Sequence, residues 1–335
     1  MSESAQNIVF EQILFYFYIC MFRNKIISTL ARFENENFSA SFPLDYCLPV
    51  YHNVSNEHLP HLGQIIKYKS EKEFEEDLDC LSKNFQWVTF DEFKEYVKGN
   101  FKPKKKIALL TFDDGYREFF DVVIPVLERK GIYAMNFVNP AFIDNKDMMF
   151  RCKVSVLVER MNQMQITENF FPHLPFSQKM ILDKVALTFG INFKEYITEK
   201  KPYLTLEQLN KITEKGFGIS SHGWDHPLYH DISDSEQLKN TVQGYNYIKE
   251  NGFHYESFAF PFTDFGVKKS FFDELFTNED IICTFGSAGI KTDSVLKNFQ
   301  RIPMETGESA ETVLKKEIAY FRLKKYLNKN HIHRK

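Results

Sequence analysis

Residues 107–116 read IALLTFDDGY. The uninterrupted apolar run 107–112 is typical of a strand that is buried on both faces. Two adjacent carboxylates, Asp113 and Asp114, follow it directly, and buried charges are costly unless a partner such as a cation compensates them. Gly115 permits the sharp turn that brings the backbone close to a ligand. The stretch therefore predicts an acidic site at the end of a buried strand.

Short apolar strands alternate with longer helical segments on both sides of this stretch. The helix predicted over Glu118–Lys130 must kink or restart at Pro125 and ends at Gly131. A further helix begins at Thr205 with a capping-box pattern. Such an alternation implies a parallel sheet or barrel, with chemistry at the carboxyl ends of the strands.

The composition bounds the class of protein. The chain has 335 residues, 43% hydrophobic and 26% charged, which is ordinary for a soluble globular protein. The net charge of -3 gives no case for binding nucleic acid. Five scattered cysteines without a CxxC pair argue against a disulfide framework and against a cysteine zinc site, and favour a reducing compartment.

Three regions follow from the pattern: an N-terminal helical extension (1–45), a central domain of alternating strands and helices (46–309) with a helical insertion (144–200), and a basic C-terminal helix and tail (310–335). Residues 6–30 are predicted to form an amphipathic or buried helix. No secretion signal is recognised, so we expect a cytoplasmic protein. We expect the basic tail to be solvated. A peripheral contact with the inner membrane face, through the N-terminal helix or the basic tail, is the alternative. Oligomerisation stays open.

A second cluster of polar residues, SHGWDH at residues 221–226, also follows a predicted strand. His222 and His226 are four residues apart in a loop, a spacing that can converge on one metal ion. With Asp114 they give three protein ligands and leave a position for water, as in catalytic zinc sites. The sequence therefore predicts a catalytic metal site.

TFDDGY and SHGWDH together resemble the motifs of the polysaccharide deacetylase family (the NodB-homology domain, carbohydrate esterase family 4). The resemblance covers roughly residues 46–305. YHNV at 51–54, FAFPF at 258–262 and RIP at 301–303 resemble motifs of the branch with YH and FAYPF. The resemblance implies a distorted, NodB-like (β/α) barrel of seven or eight strands with a helical insertion.

The resemblance also implies roles for individual residues. Asp114, His222 and His226 would hold a divalent metal, usually zinc, and Asp113 would be the general base that activates water. In this branch His52 would protonate the leaving amine, and Arg301 is the candidate that orients Asp113. The resemblance places four residues on the substrate side. The backbone N–H of Phe262, next to Pro261, would donate to the oxyanion. The rings of Tyr116 and Trp224 could stack on a sugar, or either could only pack the loop.

Three departures from the wider family stand out. Ala259 occupies the position of an arginine, no late LxH motif follows Arg301, and Gly223 replaces a Ser or Thr after the first metal histidine. These departures concern mainly the side that protonates the leaving group, where the family often uses the histidine of the late motif. The assignment of His52 as the proton donor therefore depends only on the resemblance to the branch with the YH motif.

The expected function is a hydrolase that removes an N-acetyl group from an amino sugar or glycan, in surface polysaccharide biosynthesis. One alternative is a deformylase or another hydrolase of non-peptide C–N bonds on the same fold. The other is a carbohydrate-binding protein without catalysis.

Overall fold

The structure, a computed structural model, describes residues 23–167, 171, 174–278 and 280–335. Residues 1–22 lie outside this part, and with them most of the helix predicted over 6–30; residues 23–31 are helical (α1). No described helix has the length and apolar character needed to cross a bilayer.

Short strands and longer helices alternate through the described chain. The strands are β1 (Tyr46–Cys47), β2 (Pro49–Tyr51), β3 (Gln86–Trp87), β4 (Ile107–Ala108), β5 (Leu110–Asp114), β6 (Ala134–Val138), β7 (Gly218–Ser221), β8 (Ser257–Ala259), β9 (Cys283–Gly286), β10 (Thr292–Asp293), β11 (Asn298–Gln300), β12 (Ile302–Pro303) and β13 (His331–Ile332). The remaining α-helices are α2 (Phe38–Ser41), α3 (Glu71–Asn84), α4 (Phe90–Val97), α5 (Ile124–Lys130), α6 (Phe150–Gln163), α7 (Lys179–Thr188), α8 (Phe193–Lys200), α9 (Leu206–Glu214), α10 (Asp234–Glu250), α11 (Lys269–Asn278) and α12 (Ala310–Tyr326).

Eight strands form one parallel sheet in the order β11-β9-β8-β7-β6-β5-β2-β12. Its two outer strands, β11 and β12, are separated in the chain by Arg301 alone. The amide of Arg301 donates to Gly286 O at the end of β9, and the next amide, of Ile302, donates to Leu48 O beside β2. The sheet thus curls until its edges meet at Arg301, which confirms the predicted distorted (β/α) barrel.

The run 107–112 is divided between two sheets instead of forming one strand. β4 pairs with β1 and β3 in a small three-stranded sheet, whereas β5 enters the barrel between β2 and β6. Leu109 separates them, and its amide donates to Cys47 O. An apolar run indicates that a segment is buried on both faces, but it does not indicate which strands the segment pairs with.

Helix signals in the sequence locate the helices well. Thr205 caps α9 in a complete capping box with Gln208. A short π-helix over Phe119–Val123 precedes α5, which restarts near Pro125, and Gly131 closes α5 in the left-handed conformation with φ +63°. These local predictions are confirmed because caps and breakers act through neighbouring residues.

The segment 144–200 lies in the connection between β6 and β7 and contains α6, α7 and α8. Its apolar side chains form a separate hydrophobic cluster that also takes in Leu62, Tyr116 and Tyr203. Tyr116 follows β5 directly, so this cluster fixes α6 beside the carboxyl end of the barrel.

The expectation of a solvated tail is wrong for Arg334. β13 pairs with β10, and the Arg334 side chain is only 2% exposed. Its guanidinium contacts the carboxylates of Asp264 and Asp293, which are themselves buried. Two buried carboxylates need a cation, and a basic residue near the end of the sequence supplies it.

Candidate active site

The ends of β5 and β7 bring three potential metal ligands together. Asp114 is the last residue of β5, and His222 and His226 both lie in the loop that follows β7. His226 Nε2 lies 3.1 Å from Asp114 Oδ1, and His222 Nε2 lies 3.5 Å from the same oxygen. All three residues are buried, and their ligand atoms lie within 4.8 Å of one another.

The donor atoms of this triad fit a divalent cation. Asp114 Oδ1 and His222 Nε2 are buried without a hydrogen-bond partner in the described part of the chain. His222 Nδ1 lies 2.9 Å from the carbonyl oxygen of Ala259, so this nitrogen carries the proton and Nε2 presents its lone pair to the triad. A carboxylate with two imidazoles is a common zinc donor set.

The backbone at the site is held in conformations that side chains disfavour. Asp114, His226 and Phe262 all have left-handed φ values, +74°, +59° and +57°. Non-glycine residues in this region cost on the order of 1–3 kcal/mol each and persist where the surroundings enforce them. The surrounding fold therefore enforces strained backbone at three residues of the site.

Gly223 explains one departure from the family pattern. Its φ is +76°, and a Cβ atom there would lie 2.6 Å from Asn240 Oδ1 on α10. That Asn240 oxygen accepts the Trp224 amide at 2.8 Å, and its Nδ2 donates to Asp225. A Ser or Thr at 223 would displace Asn240, so the loop between the two histidines depends on glycine.

Asp113, beside the triad, is bound by Arg301. The guanidinium forms two parallel hydrogen bonds, NH1 to Oδ1 at 2.6 Å and NH2 to Oδ2 at 2.7 Å. Arg301 is fully buried and lies over the Phe137 ring. Burial alone would raise the pKa of Asp113, but the positive charge of the Arg301 guanidinium beside it lowers this pKa below its ordinary value. Asp113 is therefore an oriented carboxylate rather than a carboxylic acid.

His52 lies directly after β2 and is paired with Glu305. His52 Nδ1 lies 2.5 Å from Glu305 Oε2, and the His52 and Asn53 amides both donate to that carboxylate at 2.9 Å. The His52 side chain is 29% exposed, whereas that of Glu305 is 5% exposed. Burial would lower the pKa of His52, but the Glu305 carboxylate outweighs it and raises this pKa to about 9.

Glu305 is a site residue that the sequence analysis missed. It follows β12, and β12 pairs with β2, so barrel closure brings it to His52 across 253 positions of sequence. The available signal was a carboxylate two residues after the RIP motif. Nothing in the sequence pairs it with a histidine near the other end of the chain.

The substrate-side residues divide into two groups. Phe262 lies beside His226, with ring centroids 4.3 Å apart, and its N–H has no hydrogen-bond acceptor among the described residues. Tyr116 is buried and stacks on Tyr203, so it does not offer an open ring to a sugar. Trp224 and Pro261 do not line the cavity at the site.

A cavity of about 700 Å³ opens on these groups. Four of its lining residues belong to the site already described: His52, Asp114, His226 and Phe262. Others come from residues 64–66 and from α6. Two members of the candidate metal triad, Asp114 and His226, and the ring of His52 therefore share one cavity, with Asp113 beside the triad. This arrangement suits hydrolysis of an acyl bond.

Comparisons with known proteins agree with this chemistry. The family model described as polysaccharide deacetylase matches residues 100–269. YxkH of Bacillus subtilis (strain 168), named as a candidate polysaccharide deacetylase, is 32% identical over 102 residues. That match covers 30% of this chain and 34% of YxkH, so the chain matches about a third of the length of this curated relative.

Solved structures, a deacetylase among them, share the fold. The Streptococcus pyogenes deacetylase PplD, in complex with acetate, is similar with a TM-score of 0.55 and 15% identity, over 81% of this chain and 97% of PplD. IcaB from Ammonifex degensii is similar with a TM-score of 0.53 and 17% identity, again over 81% of this chain and 97% of the other. At these identities the likeness concerns the fold.

Proposed function

Because the chain belongs to the polysaccharide deacetylase family, we propose that it removes an N-acetyl group from an amino sugar or glycan with a divalent metal ion held by Asp114, His222 and His226. The observation that carries the proposal is the convergence of these buried donor atoms beside a carboxylate fixed by a buried arginine. Zinc is the ion that this donor set favours.

The ion supplies Lewis acidity, which favours the ionisation of water and polarises a carbonyl group. Asp113 accepts the proton of the attacking water. Arg301 serves this step by orienting both oxygens of Asp113 and by holding its pKa low. The two residues act as a unit, because the guanidinium also compensates the buried negative charge.

The amide carbonyl gains negative charge as it is attacked. The Phe262 N–H is the chain's own donor that we assign to that charge, since Phe262 lines the cavity beside His226 and its N–H has no other acceptor among the described residues. Ser287 holds the loop by donating to the Phe262 carbonyl oxygen.

The nitrogen of the sugar must gain a proton as the C–N bond breaks. His52 is the donor that we assign, because its raised pKa keeps it protonated at neutral pH. Glu305 fixes its ring through Nδ1, which leaves Nε2 as the nitrogen that delivers the proton.

We further propose that the protein acts in the cytoplasm, in the assembly of a surface polysaccharide. The four cysteines in the described ranges are unpaired, which a reducing compartment favours. Fractionation of the native host decides the point: recovery of the protein outside the cytoplasm would contradict this location.

The direct experiment measures acetate release from N-acetylated amino-sugar oligosaccharides before and after removal of metal with a chelator, and again after addition of zinc. Acetate release that is lost and then restored supports the proposal. Faster release of formate from the N-formyl analogues would instead support a deformylase. Glycan binding and zinc binding without any release would support the non-catalytic alternative.

A further inference from the structure

The cavity at the site extends well beyond the catalytic groups. Its outer wall includes one face of α6, because Arg151, Val154, Val158 and Asn162 recur at helical spacing and all line it. At 1.5 Å per residue, this face runs for roughly 16 Å. Whatever fills the cavity therefore reaches from Asp114 along the helix.

The lining of this extension is mainly aliphatic. Besides Val154 and Val158 it includes Met149 and the two neighbouring isoleucines, Ile65 and Ile66. Ile65 is 37% exposed and Phe262 is 42% exposed, so part of the apolar lining of the cavity faces the solvent. Contact with an apolar ligand would remove this surface from water, which is favourable.

Sugar rings usually need stacking aromatic faces and many hydrogen-bonding groups. Among the described residues, the lining contains two aromatic side chains of the Phe, Tyr or Trp type, and one of them, Tyr116, is buried against Tyr203. Its polar members outside the catalytic groups are Gln64, Arg151, Asn162 and Thr167. These can serve one sugar and its linkage, but the aliphatic wall does not suit a row of further sugars.

We propose that the substrate is an amphiphile, an N-acetylated amino sugar joined to an aliphatic chain, and that this chain lies along the α6 face. The occupant must be part of the substrate itself, because one continuous cavity contains both the aliphatic wall and the residues Asp114 and His226. This inference rests on the proposed deacetylase function and names its substrate class.

The test compares acetate release from methyl, butyl and octyl glycosides of N-acetylglucosamine, below their micelle concentrations, with release from a soluble oligosaccharide of the same sugar. Each buried methylene contributes up to about a fourfold gain. We expect kcat/KM to rise at least about a hundredfold from methyl to octyl. A flat series, with the oligosaccharide an equal or better substrate, overturns the inference and leaves the proposed function intact.

Binding separates the two proposals if no acetate appears. Calorimetry with the octyl and methyl glycosides then measures how much the aliphatic chain contributes to the binding affinity. Tighter binding of the octyl compound sustains an aliphatic subsite while the proposed function fails. Equal binding of the two compounds overturns the subsite as well.

Variants test whether the aliphatic chain of the substrate lies along α6. Val158→Asp puts a charge in the aliphatic wall and should lower the octyl-to-methyl ratio of kcat/KM at least about tenfold. Leu187→Asp is the matched control, since Leu187 is 63% exposed on α7 and does not line the cavity; the ratio should be unchanged. Because each ratio is taken on one preparation, loss of folded protein cancels. An unchanged ratio in V158D contradicts the proposed path of the chain.

Discussion

The two sides of the site are built in different ways. On the nucleophile side, Asp113 and Asp114 are adjacent at the end of β5, and all four acidic and histidine groups are at most 5% exposed. On the leaving-group side, His52 is partly exposed and its partner Glu305 is 253 positions away. A buried half, whose four acidic and histidine groups lie in two short motifs, is therefore combined with a more exposed half whose two members belong to no common motif.

This difference has a consequence for function. The nucleophile side must hold charges that burial would otherwise disfavour, so each group there depends on another, as Asp113 depends on Arg301. The leaving-group side is open to the cavity, so a solvent molecule can partly replace His52 as the proton donor. A substrate with a better leaving group depends less on that proton. Substitutions should therefore be most damaging on the nucleophile side.

The largest effect is expected for His222→Ala. The variant removes the ligand whose Nε2 faces the triad, so bound zinc should be lost and deacetylation should fall by about ten-thousandfold, since a metal supplies several kcal/mol. Metal analysis and acetate release measure both effects. His230→Ala is the control, because His230 is 44% exposed and lies outside the triad. Normal zinc content in H222A would refute the ligand assignment.

Asp113→Asn should retain zinc but lower kcat by about a thousandfold, as expected for loss of a general base. It also leaves the buried Arg301 without its carboxylate, which should reduce the free energy of unfolding by about 3 kcal/mol. Adding Arg301→Met removes the orphaned charge. The double variant should regain stability without regaining activity, measured by denaturant unfolding and turnover; recovery of turnover would remove Asp113 from the mechanism.

His52→Gln should lower amide hydrolysis by about a hundredfold, because the amine then leaves without a positioned acid. An acetate ester of nitrophenol needs no such acid, since its leaving group is stable as an anion. The H52Q variant should therefore hydrolyse this ester nearly as fast as the parent enzyme, whereas D113N should lose both reactions. Equal losses of H52Q on amide and ester would place His52 on the nucleophile side.

The smallest effect is expected for Glu305→Gln, about tenfold, which corresponds to one hydrogen bond to a charged group. The protonated His52 is the active form, and the Glu305 carboxylate raises its pKa. Without that charge the pKa falls, so the alkaline limb of the pH–rate profile should move to lower pH. A purely structural role would reduce the rate at every pH and leave the limb in place.

The prediction from sequence was strong where neighbouring residues carry the signal. The helix caps at Thr205 and Gly131 act locally, and so do the motifs that contain Asp114 and His222. It was weak where the partner lies far along the chain. The strand break at Leu109, the buried Arg334 and the Glu305 partner of His52 all depend on which elements come to lie side by side.

Gly223 and Tyr116 show the same limit at single residues. The departure at Gly223 was visible in the sequence, but its reason, the close approach of Asn240, was not. Tyr116 follows the acidic motif, where its ring could stack on a sugar or only pack the loop, and it packs on Tyr203 from the connection between β6 and β7. A residue type sets what a side chain can do, and the packing decides what it faces.

By itself, the sequence determined the alternation of strands and helices, the placement of carboxylates and histidines at strand ends, and the resemblance that joins them into one chemistry. Those properties lie in short stretches and in side-chain type. The sequence also offered Arg301 as the residue that orients Asp113, and the tertiary structure shows the two hydrogen bonds between them. Only the tertiary structure decided that Arg301 joins the two edges of the barrel, that Glu305 meets His52, and that α6 lines the cavity with aliphatic side chains. These contacts arise from pairing between distant strands and from the packing of a helix over the barrel, for which no local pattern exists.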